Sequence, residues 1–546
     1  MLKKKALCAA LLSVFAAGAV AQTAPDAGRI LRQELPAPEA PRPAEITVDV
    51  PKPAATPPGG AQVVLQSVSI EGNTVFTEEQ LLAVLGEVRD RSFDLAQLRE
   101  LGERVAEHYR RAGYPFARVL LPAQSIDAGV LRMQVVEGRY GQVSATGEAQ
   151  LAESGQAFLS RLKPGEVIES SPLERATLIL NDQPGIRLMP LVRPGQAFGT
   201  GDLEVKVERI ERVGGDVGLD NYGNRYTGEF RARANLRVNG PFAFGDQLTV
   251  RTLLTDEGMW YGDLGYNAPI GTSGLRGQVG YAHTYYQLGK DFSALDATGT
   301  ADVTSLGASY PIIRSQPTNL SIALAWQHKE LNDRRGAVGT DDGKSSDSLP
   351  VTLGFDRRDG LLGGGITYGA LSWTGGRLRL DPTLAATDQV TAQTEGRFSR
   401  VNLDVARLQS IRGGLSGYAR LALQHASKNL DSSEGFGLGG PTGVRAYPVG
   451  EAFGDAGHFI QLELRQALGN WEPFTFYDAG EIKVNERPWT AGPNERRIAG
   501  AGLGVRLYGR AWTADAALAW RTEGGAPQSD TADRNPRAWV NVGYRF

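Results

Sequence analysis

The 546 residues include 58 Lys+Arg, 61 Asp+Glu, 68 Gly, 4 Met and a single Cys. Loss of Lys3, Lys4 and Lys5 with an N-terminal leader would leave 55 basic against 61 acidic side chains, a net charge of −6 that argues against a nucleic-acid partner. Cys8 lies inside that leader, so a processed chain would have no disulfide and no cysteine-based metal site. Beyond the leader no run approaches the roughly 20 apolar residues of a membrane helix, which leaves a soluble protein or a β-barrel.

The leader is read over residues 1–21: a basic head at Lys3–Lys5, an apolar stretch from Ala6 to Val20, and the small-residue site Ala19-Val20-Ala21 before Gln22. Within residues 22–35 a short amphipathic helix is expected over Gly28–Leu35, with Ile30, Leu31 and Leu35 apolar, as either a plug or a tail. Residues 36–60, with Pro36, Pro38, Pro41, Pro43, Pro51, Pro53, Pro57 and Pro58, are read as an extended linker.

Two similar α+β units follow, at 61–138 and 139–210, each read as β-α-α-β-β. In the first, a strand is expected over Val63–Ile70, and Thr77 with Gln80 makes a capping box for a short helix. Asp94 caps a longer helix with Leu95, Leu98, Val105 and Tyr109 on one face, and strands Phe116–Leu121 and Val130–Val136 close the unit. In the second, a strand near Gln142–Ala145 and a helix near Gln150–Leu162 precede a capping box at Ser171-Pro-Leu-Glu174. Strands Ile186–Val192 and Leu203–Glu208 complete it.

From Glu211 the hydrophobic period becomes two. Leu320, Ile322, Leu324 and Trp326 alternate with small and polar residues, and Ile460, Leu462 and Leu464 alternate with Gln461, Glu463 and Arg465. One face suits lipid and the other a wet lumen, so residues 211–546 are read as a transmembrane antiparallel β-barrel of about sixteen strands. A soluble sandwich with one solvated face is the weaker reading. Long external loops are expected at Asp431–Gly457, Gly336–Asp347 and Gly376–Gln393. The last strand alternates to a terminal Phe546, which resembles the C-terminal signature that barrel-assembly machinery reads in outer-membrane proteins.

Two motifs carry a family resemblance. Gly439–Pro448 reads GGPTGVRAYP after the eleventh candidate strand, and Phe476–Gly480 reads FYDAG two strands later. With the two preceding α+β units, this resembles the two-partner secretion transporters of the TpsB type (the ShlB/FhaC/HecB family), in the POTRA–barrel superfamily that includes BamA. The resemblance implies two periplasmic POTRA domains, an outer-membrane barrel embedded in lipid, an N-terminal plug helix and a loop folded into the lumen. It also implies that Arg445, within Gly443, Val444 and Tyr447, meets Asp478, between Phe476 and Gly480. Ala446 stands where the family usually has glycine, and alanine is costlier at positive φ. The implied function is export of a large partner exoprotein captured unfolded in the periplasm; the alternative is a barrel-insertion factor of the BamA kind.

An enzyme is not expected. There is no H-E-x-x-H or G-x-S-x-G, and His108, His283, His328, His425 and His458 lie at no metal-ligand spacing. The glycine-rich stretches lack the Lys-Ser/Thr of a phosphate loop, and no cofactor is expected.

Overall fold

The computed structural model describes residues 24–33, 41, 59 and 61–546. The leader expected over 1–21, Leu35 and most of the proline linker lie outside the described residues. Among the described residues no helix is long and apolar enough to cross a membrane.

In the first α+β unit, Val63–Leu65 pairs with Arg91–Phe93, while Ser67–Glu71 runs parallel to Val130–Val136, which pairs antiparallel with Arg118–Leu120. The strand expected over 63–70 is therefore two. They part at Gln66, whose N–H donates to Gly129 O at 2.7 Å and redirects the chain between sheets. Thr77 and Asp94 each cap a helix, Glu78–Leu85 and Leu95–Arg111, and each box is closed by a glutamine side chain returning to the cap N–H. Leu98, Leu101, Val105 and Tyr109 pack into the unit's core. Leu95, expected beside them, is half exposed because it opens the helix ahead of the core-facing turn.

The second unit repeats the plan. Arg139–Gly147 runs parallel to Thr200–Arg209, which pairs antiparallel with Ile186–Pro194, and helices Ala149–Leu159 and Ser170–Asn181 complete the fold. The capping box expected at Ser171 does not form: the helix starts at Ser170, and the cap residue Glu169 makes no side-chain bond. The Ser170 N–H instead donates to Gly113 O of the first unit at 2.8 Å, so a neighbouring unit satisfies an open helix-terminal donor. Phe116 of the first unit packs into the core of the second, which joins the two into one arm.

The arm is fixed to the barrel mouth. Phe244, from the first short turn of the barrel, lies 5.8 Å from the Phe158 ring. Arg314 holds Asp182 bidentately at 2.6 Å, and Arg175 donates to Pro311 O at 2.7 Å. This contact identifies the short turns as the periplasmic end.

Sixteen antiparallel strands, from Val213–Asp220 to Arg537–Arg545, close the barrel, with Asn541 to Arg545 returning against Asp220 to Asp216. Phe546 extends this seam by exchanging 3.0 Å backbone bonds with Gly215. The expected alternation holds: Leu324, Trp326, Leu371 and Trp373 are exposed to the outside, while Thr374 and Leu378 are buried inward. Two expected loops are largely wall. Thr318–Arg335 and Thr340–Asp359 leave only four residues between them, and Gly365–Leu380 runs on to a helix at Pro382–Gln389. Their polar sequence hid the strands. A wall of about 20 residues, tilted about 45° at about 3.3 Å per residue, rises well past an apolar band of about 25 Å, so its upper part needs no lipid-facing side chains.

Candidate functional site

Between strands Leu415–Ala426 and Ala456–Gln466 the chain turns into the lumen, and its tip is buried against the inner face of the strands that follow it. The tip is tightly folded. Val444 N–H donates to Leu438 O at 2.7 Å, and a Cβ on Gly443 would lie 1.9 Å from that same oxygen, so only glycine fits there. Leu438 in turn rests on Gly480.

Arg445 makes the central contact. Its Nε and Nη2 donate to the two carboxylate oxygens of Asp478 at 2.8 and 2.7 Å, and its backbone N–H donates to Oδ2 at 3.1 Å. The guanidinium lies over the Phe476 ring, 3.6 Å from its centroid, and the Arg445 carbonyl accepts from Trp539 Nε1 at 2.7 Å. The pair is 4% and 0% exposed, so each charge is held by its partner rather than by water. Tyr447 fixes the other side of the tip, donating to Glu523 O at 2.6 Å and Gly525 O at 2.9 Å. Ala446 does not adopt positive φ, and its methyl occupies the space that a side chain at Gly500 would need. The Ala446 methyl is thus matched by a glycine on the wall it packs against.

Glu463 was not singled out from sequence. It accepts from Arg445 Nη1 at 2.6 Å, Arg465 at 2.7 Å and Arg506 at 3.0 Å, which makes one buried carboxylate the junction of three guanidiniums. Its signal was an acid alternating with Arg465 on the strand beside FYDAG, where lumen-facing charge looked ordinary. Glu451, fully buried at the loop's return, accepts from Arg496 Nε at 2.8 Å and from the Ser529 N–H at 2.8 Å.

The N-terminal helix, Ala27–Gln33, lies inside the barrel against the base of this loop. Asp26 accepts from Ser432 Oγ at 2.7 Å and faces Lys344 at 3.4 Å; Ala27 N–H donates to Asp333 at 2.9 Å, and Arg32 Nε to Gly435 O at 2.9 Å. Ala27 and Ile30 pack with Tyr286 and Leu331 of the wall and with Tyr226 of the loop between the first two barrel strands. Glu434 ties the loop base to the wall through Lys329 and Arg400 at 2.5 and 2.9 Å.

A periplasmic arm, a closed barrel and a lumen filled by an inward loop and a helix together define a POTRA–barrel protein of the outer membrane. Residues 199–507 match the family model described as "Haemolysin secretion/activation protein ShlB/FhaC/HecB", and residues 63–138 match "POTRA domain, ShlB-type". The chain belongs to this haemolysin secretion/activation family. It is an outer-membrane transporter that secretes a partner protein through its barrel, with its POTRA region in the periplasm. Among its relatives, the heme/hemopexin transporter protein HuxB of Haemophilus influenzae (strain 86-028NP) is 28% identical over 403 residues, 72% of this chain and 70% of that protein. The outer membrane transporter CdiB of Dickeya dadantii (strain 3937) is 22% identical over 515 residues, 89% of this chain and 86% of that one. Among solved structures, CdiB from Escherichia coli superposes with a TM-score of 0.72 at 19% identity, covering 92% of this chain and 94% of it.

Proposed function

We propose that residues 61–138 and 139–210 are two POTRA domains that receive a large exoprotein in extended, unfolded form and pass it to the barrel of residues 211–546. The observation that carries this reading is the free edge of the second unit. Among the described residues Ile186–Pro194 pairs on one side only, and its Met189 and Leu191 are 49% and 46% exposed. An incoming strand gains backbone bonds along such an edge and apolar contact with those side chains, without demanding one sequence. The family relationship supports a secreted protein as cargo. Lipid around the exposed apolar belt, and the barrel-assembly machinery acting on the Phe546 strand, complete the set of partners.

Within the lumen, Arg445 and Asp478 act as a latch on the inward loop, with Gly443, Val444 and Tyr447 shaping the tip and Phe476 and Gly480 its seat. The helix at Ala27–Gln33 is a plug. The capture step is tested by placing a photo-crosslinker at Met189 or Leu191 in the full chain and co-expressing the exoprotein. Crosslinks to its N-terminal part are expected; crosslinks found only from lumen positions would remove the receptor role from these domains.

A further inference from the structure

The outer wall carries a like-charged pair that sheet pairing disfavours. Arg377 and Arg397 stand directly opposite each other on the neighbouring strands Gly365–Leu380 and Gly396–Arg412. Both are exposed and share the outward face of Leu371 and Trp373. Like charges in directly opposed positions repel.

The acid directly opposite Arg377 on its other side is Asp347. Its carboxylate is already taken by Arg379 at 2.6 Å and His328 at 2.8 Å. Among the described residues neither Arg377 nor Arg397 has a side-chain hydrogen bond or ion pair.

The height of the pair matters as much as its charge. On the same strand and face as Arg397, Arg407 lies near the periplasmic end and is held by Asp359 at 2.9 Å. Ten residues at about 3.3 Å, tilted about 45°, separate the two arginines by about 23 Å, close to the apolar band of about 25 Å. The exposed Trp326 and Trp373 lie just below the upper pair, as belt aromatics do. The lower headgroup level therefore has its own carboxylate, and the upper one has two guanidiniums without one.

We propose that Arg377 and Arg397, flanked by Arg379, clamp a phosphate of an outer-leaflet glycolipid headgroup. A phosphate between them offers each guanidinium a bidentate acceptor and turns a repulsive pair into a bridged one. The ligand is supplied by the membrane itself, at the height where the wall leaves the apolar layer.

The test uses the full chain in neutral detergent, with bis-phosphorylated lipid A as probe, read by native mass spectrometry and thermal unfolding. Wild type should retain lipid A, and the R377Q/R397Q double variant should bind it at least tenfold more weakly. Lipid A stripped of phosphate should not distinguish the two chains. Without lipid A the double variant should unfold at the same or a higher temperature than wild type, because the repulsion is gone; with lipid A the order should reverse. The R377K/R397K chain should recover part of the binding. Equal affinity of wild type and double variant, undiminished binding of the dephosphorylated lipid, or a lower unfolding temperature of the double variant in neutral detergent would each overturn the clamp.

Discussion

Replacing Arg445 by alanine removes a bidentate pair with Asp478, a bond to Glu463 and a cation–π contact with Phe476 in one step. The two acids do not suffer alike. Glu463 keeps Arg465 and Arg506, whereas the fully buried Asp478 loses its guanidinium. Removing one partner of a buried pair costs about 3–5 kcal/mol, a factor of about 10²–10³ or more in loop docking. The barrel ladder and lipid face are untouched, so heat-modifiable barrel should reach the membrane at normal levels. Hydrogen exchange across Gly439–Glu451 should rise by two to three decades, and passenger in the medium should fall sharply. Asp478→Ala should be milder on loop docking, because Arg445 still has Glu463. Adding it to Arg445→Ala should make matters little worse, since both singles break one contact. Unchanged exchange protection of the tip in Arg445→Ala, or fully additive single defects, would refute the latch.

Two further outcomes are expected. A chain lacking residues 22–60 should give larger or longer openings in planar bilayers than wild type, and unchanged conductance would remove the plug. In the first unit, burial pushes the Glu137 carboxyl up, but donors from Thr74, Val75 and the Tyr109 hydroxyl outweigh it and hold the group below the usual carboxylate range. That stabilisation is present above the ordinary glutamate value of about 4.3 and disappears as pH falls through the lower folded value. Unfolding of the arm should therefore steepen below about pH 4.3, and Glu137→Gln should flatten that dependence; an unaltered acid profile would contradict the assignment.

The parts legible in the sequence were those with a strong local signature. Thr77 with Gln80 announces a helix start, alternation around Ile322 and Ile460 announces membrane strands, and the family resemblance of two short motifs pairs Arg445 with Asp478 on the second strand after its loop. What stayed hidden was set by distant neighbours. Glu463 looks like any lumen-facing acid until three arginines converge on it. Ser171 looks like a cap until Gly113 of the other unit reaches the helix first. The polar run Gly336–Asp347 looks like a loop, because a wall with water on one side and a polar lumen on the other has no hydrophobic period to display.

That polar wall has a mechanical consequence. The N-terminal helix is held by Asp333 and Lys344, both on the extensions above the aromatic belt. In the plug reading proposed above, the start of the stopper is therefore anchored to wall that stands clear of the bilayer, while Arg32 at its far end meets the loop base at Gly435. Lateral pressure, bilayer thickness and acyl-chain order should consequently have little leverage on the Asp26 and Ala27 contacts, the part of the anchorage farthest from lipid.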